Sequence, residues 1–155
     1  MFQVLVPPKI IITHCHRIMP MLIGLVGKKF SGKDTVGKHL TQQYAFERVS
    51  FADRLKSHCQ IRYGFKDSQL EATKDTIDER WGFTPRQTFK DTGMAYRKID
   101  PNYWSNQVEF DIVTSDKDIV VTDVRFQNEA DMISKNGGIL LRIMRSDTEN
   151  DDHIS

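Results

Sequence analysis

The chain has 155 residues, with 22 Lys and Arg against 21 Asp and Glu and a formal net charge of +1. That balance excludes a polycationic scaffold for nucleic acid, which carries a clear basic excess. It also excludes a highly charged disordered tail as the bulk of the chain. With 39% hydrophobic residues and a mean hydropathy of −0.48, the composition predicts one buried core and one main domain.

Residues 1–20 read as an N-terminal extension. Pro7, Pro8, Lys9, His14, His16, Arg17 and Pro20 break up its apolar patches. A membrane span needs about 20 mostly apolar residues, and a secretory signal needs one unbroken apolar stretch. Neither is present. The cluster His14-Cys15-His16 offers adjacent ligands, which cannot easily close a tetrahedral metal site alone. Cys15 and Cys59 are the two cysteines, too few for a secreted disulfide scaffold. The reading is a cytoplasmic protein whose main domain spans 21–155.

From Met21 the pattern alternates strand and helix. The apolar run 22–26 predicts a buried strand, followed by a glycine-rich turn and an amphipathic helix over 33–44. A more polar strand is expected over 46–51 and a helix over 52–63, with Leu55, Cys59 and Tyr63 on one face. The charged stretch 66–81 has no clear period and is expected to be a mobile insertion suited to closing over a substrate. Thr84-Pro85 and Asp100-Pro101 each read as a helix start, an N-cap residue with proline at the first helical position. A third strand is expected over 118–122, a helix over 127–135 ending at Asn136-Gly137-Gly138, and a fourth strand over 139–144. Strands alternating with helices imply an α/β fold, a parallel sheet with helices on both faces. Ligands then bind beyond the carboxyl ends of the strands.

The chemistry gathers at those ends. Gly27-Lys28-Lys29-Phe30-Ser31-Gly32-Lys33-Asp34-Thr35 has the form G-x-x-x-x-G-K, with Asp34 where a hydroxyl is usual and Thr35 one place later. Glycines let backbone N–H groups turn inward around an anion, and the following helix adds its positive end. Lys33 can reach β- and γ-phosphates as a point charge. Thr35 could hold an α-phosphate, and Asp34 could hold Mg²⁺ through water. The alternative is an ordinary glycine turn. The run Ile119-Val120-Val121-Thr122-Asp123 ends in a carboxylate placed beside such a loop, where it can serve a metal or a reacting phosphate. Arg125 and Glu129 follow at the same corner, either as a charge clamp or as a simple i,i+4 pair. Lys29, Lys33, Arg86 and Arg125 are the cations available to bring two phosphates together.

The phrases GKKFSGKDT at 27–35, SFADRLK at 50–56, WGFTPRQTFKDTG at 81–93, DPNYW at 100–104, VVTDVRFQNEAD at 120–131 and GGILLRIMR at 137–145 resemble, in this order, the bacteriophage-type deoxynucleoside monophosphate kinases. The likeness covers nearly all of 21–155. It implies a P-loop kinase fold and ATP-dependent, Mg²⁺-assisted phosphoryl transfer to a deoxynucleoside monophosphate in the cytoplasm, the host's if the protein is phage-encoded. It implies that Gly32, Lys33, Asp34 and Thr35 hold ATP within the loop that Gly27 and Ser31 help to shape. Arg142 and Arg145 would face the base of ATP. The acceptor would lie near Lys29, Arg86, Gly93, Trp104, Asp123, Arg125 and Glu129, with Asp53 and Lys56 joining if the second strand ends near Phe51. Trp104 either packs against a base or sugar or belongs to the core.

Residues 1–20 have no counterpart in the family. The tail D-D-H-I-S resembles a segment after which the family continues with another strand and a closing helix. The expectation is a four-stranded sheet lacking the C-terminal edge strand, whose open edge would favour a homodimer. Two other readings stay open: a nucleotide-binding module impaired by truncation, and a small P-loop kinase acting on another phosphorylated acceptor. Neither membrane nor nucleic-acid partners are expected.

Overall fold

A computed structural model describes residues 20–144. The His14-Cys15-His16 cluster, Arg145 and the acidic tail lie outside the described residues.

Four parallel strands form the sheet: β1 (Leu22–Val26), β2 (Glu47–Val49), β3 (Ile119–Val124) and β4 (Ile139–Arg142), in the order β2-β3-β1-β4. Helices α1 (Lys33–Tyr44), α2 (Phe51–Tyr63), α3 (Asp67–Leu70), α4 (Pro85–Ile99), α5 (Tyr103–Thr114) and α6 (Gln127–Lys135) connect them. Side chains alternate along the strands, so each central strand feeds two cores. Leu22 of β1 and Ile119 and Val121 of β3 pack with Phe51, Val108, Met132 and Ile133 from α2, α5 and α6. Ile23, Leu25 and Val120 face the other way, against Phe46 and against Val36 and Leu40 of α1. Helices therefore cover both faces, as the alternating pattern predicts. Each fully buried aliphatic side chain contributes about 1.5–3 kcal/mol. An N-cap bond contributes about 1 kcal/mol, so the two cores dominate and the caps set boundaries. The edge strand β4 is exposed throughout, including Ile139, Leu140 and Leu141.

Several boundaries differ from the sequence reading: β3 begins at Ile119 and runs on to Val124, past the expected end at 122, and β4 stops at Arg142, short of 144. The second strand stops at Val49 because the N–H groups of Phe51 and Ala52 turn toward Asp123 and open α2. The helix expected from Asp100-Pro101 begins at Tyr103 instead. Asp100 Oδ1 accepts the N–H of Asn102 at 2.8 Å in an Asx turn, and Asn102 takes the N-cap position of α5. The insertion 66–81 is strapped down. Asp78, only 6% exposed, takes Arg80 and Gln69, while the Trp81 indole donates to Tyr63 O at 3.0 Å. Tyr63 stacks on Phe65 and meets Trp81 and Phe83 edge-on. The other two expected ends are present. Thr84 Oγ1 accepts the N–H of Gln87, with Pro85 at the first position. Gly137, at φ 74°, follows α6.

Candidate functional site

Val26 of β1 lies opposite Val124 of β3, so the loop after β1 and the turn after β3 leave the sheet side by side at its carboxyl end. The strand order places this point where the connections diverge, α1 to one face and α6 to the other.

The loop is built for close backbone approach. A Cβ on Gly27 would stand 2.5 Å from Ile143 O and 2.8 Å from Ser31 Oγ, so only glycine fits. Gly32 caps α1 at φ 99°, and Phe30 sits in the left-handed region at φ 65°. A non-glycine residue there is strained, and such strain concentrates at ligand sites. Lys33 Nζ folds back to donate to Gly27 O at 2.5 Å and Lys28 O at 2.7 Å. Its ammonium thus sits inside the loop, beside the free N–H groups of the first turn of α1. Ser31 is buried, and its Oγ has no hydrogen-bond partner among the described residues. Asp34 and Thr35 are exposed on that first turn.

Asp123 accepts three hydrogen bonds, from Ser50 Oγ at 2.9 Å, Phe51 N at 3.0 Å and Ala52 N at 2.9 Å. It therefore fastens the start of α2 to the end of β3. A carboxylate has about four acceptor positions, so about one remains for a ligand. Arg125 is exposed, and its guanidinium enters no ion pair among the described residues. Glu129, 2% exposed, accepts Arg125 N at 2.8 Å and Phe126 N at 3.1 Å. The expected i,i+4 contact is thus to the backbone of Arg125. Burial pushes the Glu129 carboxyl above its ordinary value, against the pull of those N–H groups and of Arg97.

On the acceptor side, Arg86 at the start of α4 is held by the Asp75 carboxylate through both oxygens. Asp75 is held below the usual carboxylate range, chiefly by the Arg86 hydrogen bonds, with Lys74 and Lys29 adding their fields. Arg86 thus makes the direct contact to Asp75, and Lys29 of the glycine loop adds only a weaker field at the same carboxylate. Asp53 lies in the first turn of α2 and pairs with Arg48 at 2.6 Å. Lys56 pairs with Glu71.

Trp104 requires correction. It is 1% exposed, its indole donates to Gly93 O at 3.2 Å, and Tyr96 and Tyr103 meet its ring edge-on. No face is free for a base, and the core alternative is the one observed. Gly93 is likewise a packing position: a Cβ there would stand 3.2 Å from Leu55. Around the metal candidates Asp34 and Asp123, and elsewhere among the described residues, no three His, Cys, Asp or Glu side chains form a group that could hold a metal ion by themselves.

No protein-family model matches the sequence. Over 150 aligned residues the chain is 35% identical to an Acanthamoeba polyphaga mimivirus protein named "Putative deoxynucleotide monophosphate kinase", covering 85% of this chain and 78% of that one. The chain belongs to the deoxynucleotide monophosphate kinase family. Membership places it among the phosphotransferases. Among solved structures, one described as "a putative kinase from chloroflexus aurantiacus j-10-fl" is similar over 81% of this chain and 59% of that one, at 15% identity and a TM-score of 0.43. This chain spans under two thirds of that structure's length.

In this family member, three residues at the site escaped the sequence reading. Ser50 carries a hydroxyl between β2 and α2, where an N-cap was the available signal. Asp75 lies in a segment without periodicity, and nothing in sequence pairs it with Arg86. Arg97 follows Arg86 by eleven residues, close to three helical turns, so both lie on one face of α4. That spacing was legible. Among the described residues, no helix is long and apolar enough to cross a membrane.

Proposed function

We propose that the protein is an ATP-dependent deoxynucleoside monophosphate kinase that transfers the γ-phosphoryl group of ATP to a nucleoside monophosphate, giving the diphosphate. The observation that carries this reading is the juxtaposition of the glycine loop after β1 and the Asp123–Arg125 corner after β3. Phosphoryl transfer asks a protein chiefly to position two anions and screen their charge. Residues suited to that task stand on both sides of the corner.

The loop fits a nucleotide phosphate chain. Gly27 and Gly32 allow a tight backbone curve, Ser31 offers an unpartnered buried hydroxyl, and Lys33 carries a charge already among loop carbonyls. Mg²⁺ would sit with the phosphates, held through Asp34 and the remaining acceptor position of Asp123. A site with one or two carboxylates suits a metal that arrives on its nucleotide. ATP with Mg²⁺ supplies the transferable phosphoryl group and part of the charge screening. The chain's own residues do the rest. Lys29, Arg86 and Arg125 attract and orient the acceptor phosphate, and Glu129 fixes the backbone from which Arg125 projects. Asp53 and Lys56, at the start of α2, border the acceptor side.

An ADP-release assay across deoxy- and ribonucleoside monophosphates tests the proposal, with phosphomevalonate and dephospho-coenzyme A as other phosphorylated acceptors. The expected result is ADP formation dependent on at least one deoxynucleoside monophosphate. Turnover with none of the nucleotides would sink it.

A further inference from the structure

We propose that Arg97 is a positioning residue that locks the acceptor-side helix α4 to the strand–helix corner carrying Arg125. Arg97 stands in the last turn of α4, on the face that also presents Arg86 and Gly93. It reaches across 32 residues of sequence to the corner after β3, where its Nη2 lies 3.2 Å from Glu129 Oε1. Its guanidinium carbon also lies over the Phe126 ring, 4.2 Å from the centroid. The other oxygen of Glu129 takes the N–H groups of Arg125 and Phe126. One guanidinium thus grips the turn 125–126 twice, through Glu129 and through Phe126.

The geometry exceeds what helix packing needs. Glu129 is 2% exposed, and a buried carboxylate is costly unless it is paired. Arg97 supplies that pairing, with its own side chain 27% exposed. The charged groups facing Glu129 are Arg97 from α4 and, with opposite effect, Asp123 from β3. Without Arg97, two carboxylates share the corner with no cation from α4 between them. The Arg125 backbone would lose its firm anchor, and its guanidinium would be presented to a phosphate from a loose turn. Misplacement of a charge clamp by about 1 Å can cost on the order of a hundredfold in rate.

The consequence for catalysis rests on the kinase reading; the consequence for the turn does not. The experiment therefore pairs hydrogen exchange with kinetics on full-length Arg97→Met and Arg97→Lys. In Arg97→Met we expect the amides of Arg125 and Phe126 to exchange at least about tenfold faster while those of β1 and β3 keep their rates. We expect kcat to fall about tenfold to a hundredfold, with KM for ATP unchanged. Arg97→Lys recovers part of both effects, because an ammonium can reach Glu129 but lacks the broad planar group that covers Phe126. Should Arg97→Met fail to fold, Arg97→Lys carries the same two readouts. Unchanged amides at 125 and 126, or acceleration of all amides together, would overturn the positioning role. Selective acceleration in a protein whose wild type transfers no phosphoryl group supports the positioning role and defeats the kinase reading alone.

Discussion

Lys33 shows how one side chain can matter greatly for chemistry and little for folding. Its ammonium bonds two carbonyls of a loop open to solvent, and water can replace it there. Lys33→Ala is therefore expected to lower kcat/KM by about 10²–10³-fold, the usual loss for one preorganised charge partner. The thermal midpoint should stay within about 4 °C, which corresponds to roughly 1 kcal/mol in a chain this size. Turnover and a circular-dichroism melt check both halves. Glu129 behaves oppositely. Burial raises its pKa, so the folded state holds the proton more tightly than the unfolded state does. Its contribution is fully present below the ordinary carboxylate pKa and is lost as pH rises through the raised value. The stability of wild type relative to Glu129→Gln should fall across that window and then level off. Urea unfolding between about pH 4 and 7 tests this; a difference that grows with pH would mean that Arg97 and the two N–H bonds outweigh burial.

Among the elements, the long periodic ones were legible and the short polar ones were not. β1, α1, α4 and α6 follow from apolar spacing and from local caps such as Thr84-Pro85. Those signals act within one turn of chain, so sequence carries them in full. The segment 66–81 has no such signal. It is held by Asp78 with Arg80 and Gln69 and by aromatic contacts to Tyr63, partners brought together only by folding. The segment also delivers Asp75 to Arg86 and into the fields of Lys29 and Lys74. Asp75→Asn should free Arg86 and remove a negative charge from the approach of the acceptor. KM for the acceptor is expected to fall severalfold at low salt, with the gain shrinking as salt screens the approach. The melting temperature should not move, since an exposed ion pair contributes little. A rise in KM would show instead that Asp75 holds Arg86 in its working position.

At the scale of the molecule, the four parallel strands bring the loop after β1 and the corner after β3 to one level, and among the described residues no group of three metal-binding side chains stands beside them. Chelation by EDTA is therefore expected to abolish transfer while leaving the thermal midpoint unchanged, and titration calorimetry should detect Mg²⁺ binding only with nucleotide present. A melt that collapses on chelation would point to a structural ion instead. ATP at about a hundred times its Kd should stabilise the fold by about 2.7 kcal/mol through mass action.

The sequence by itself determined the alternating α/β order, the glycine loop, and the acidic end of β3 with its arginine. Each is a contiguous pattern whose meaning depends on neighbours in the chain. It could name Trp104, Gly93 and Glu129 but not their surroundings. Tertiary structure alone decided that Trp104 is sealed in the core against Gly93, that Glu129 holds the turn beneath Arg125, and that Asp123 spends most of its acceptors on α2. It also decided that Arg86 meets Asp75 and that Arg97 reaches Phe126. Burial and pairing are properties of space, set by which elements pack together. A side chain's type says what bonds it can make, and only the fold says which remain for a ligand.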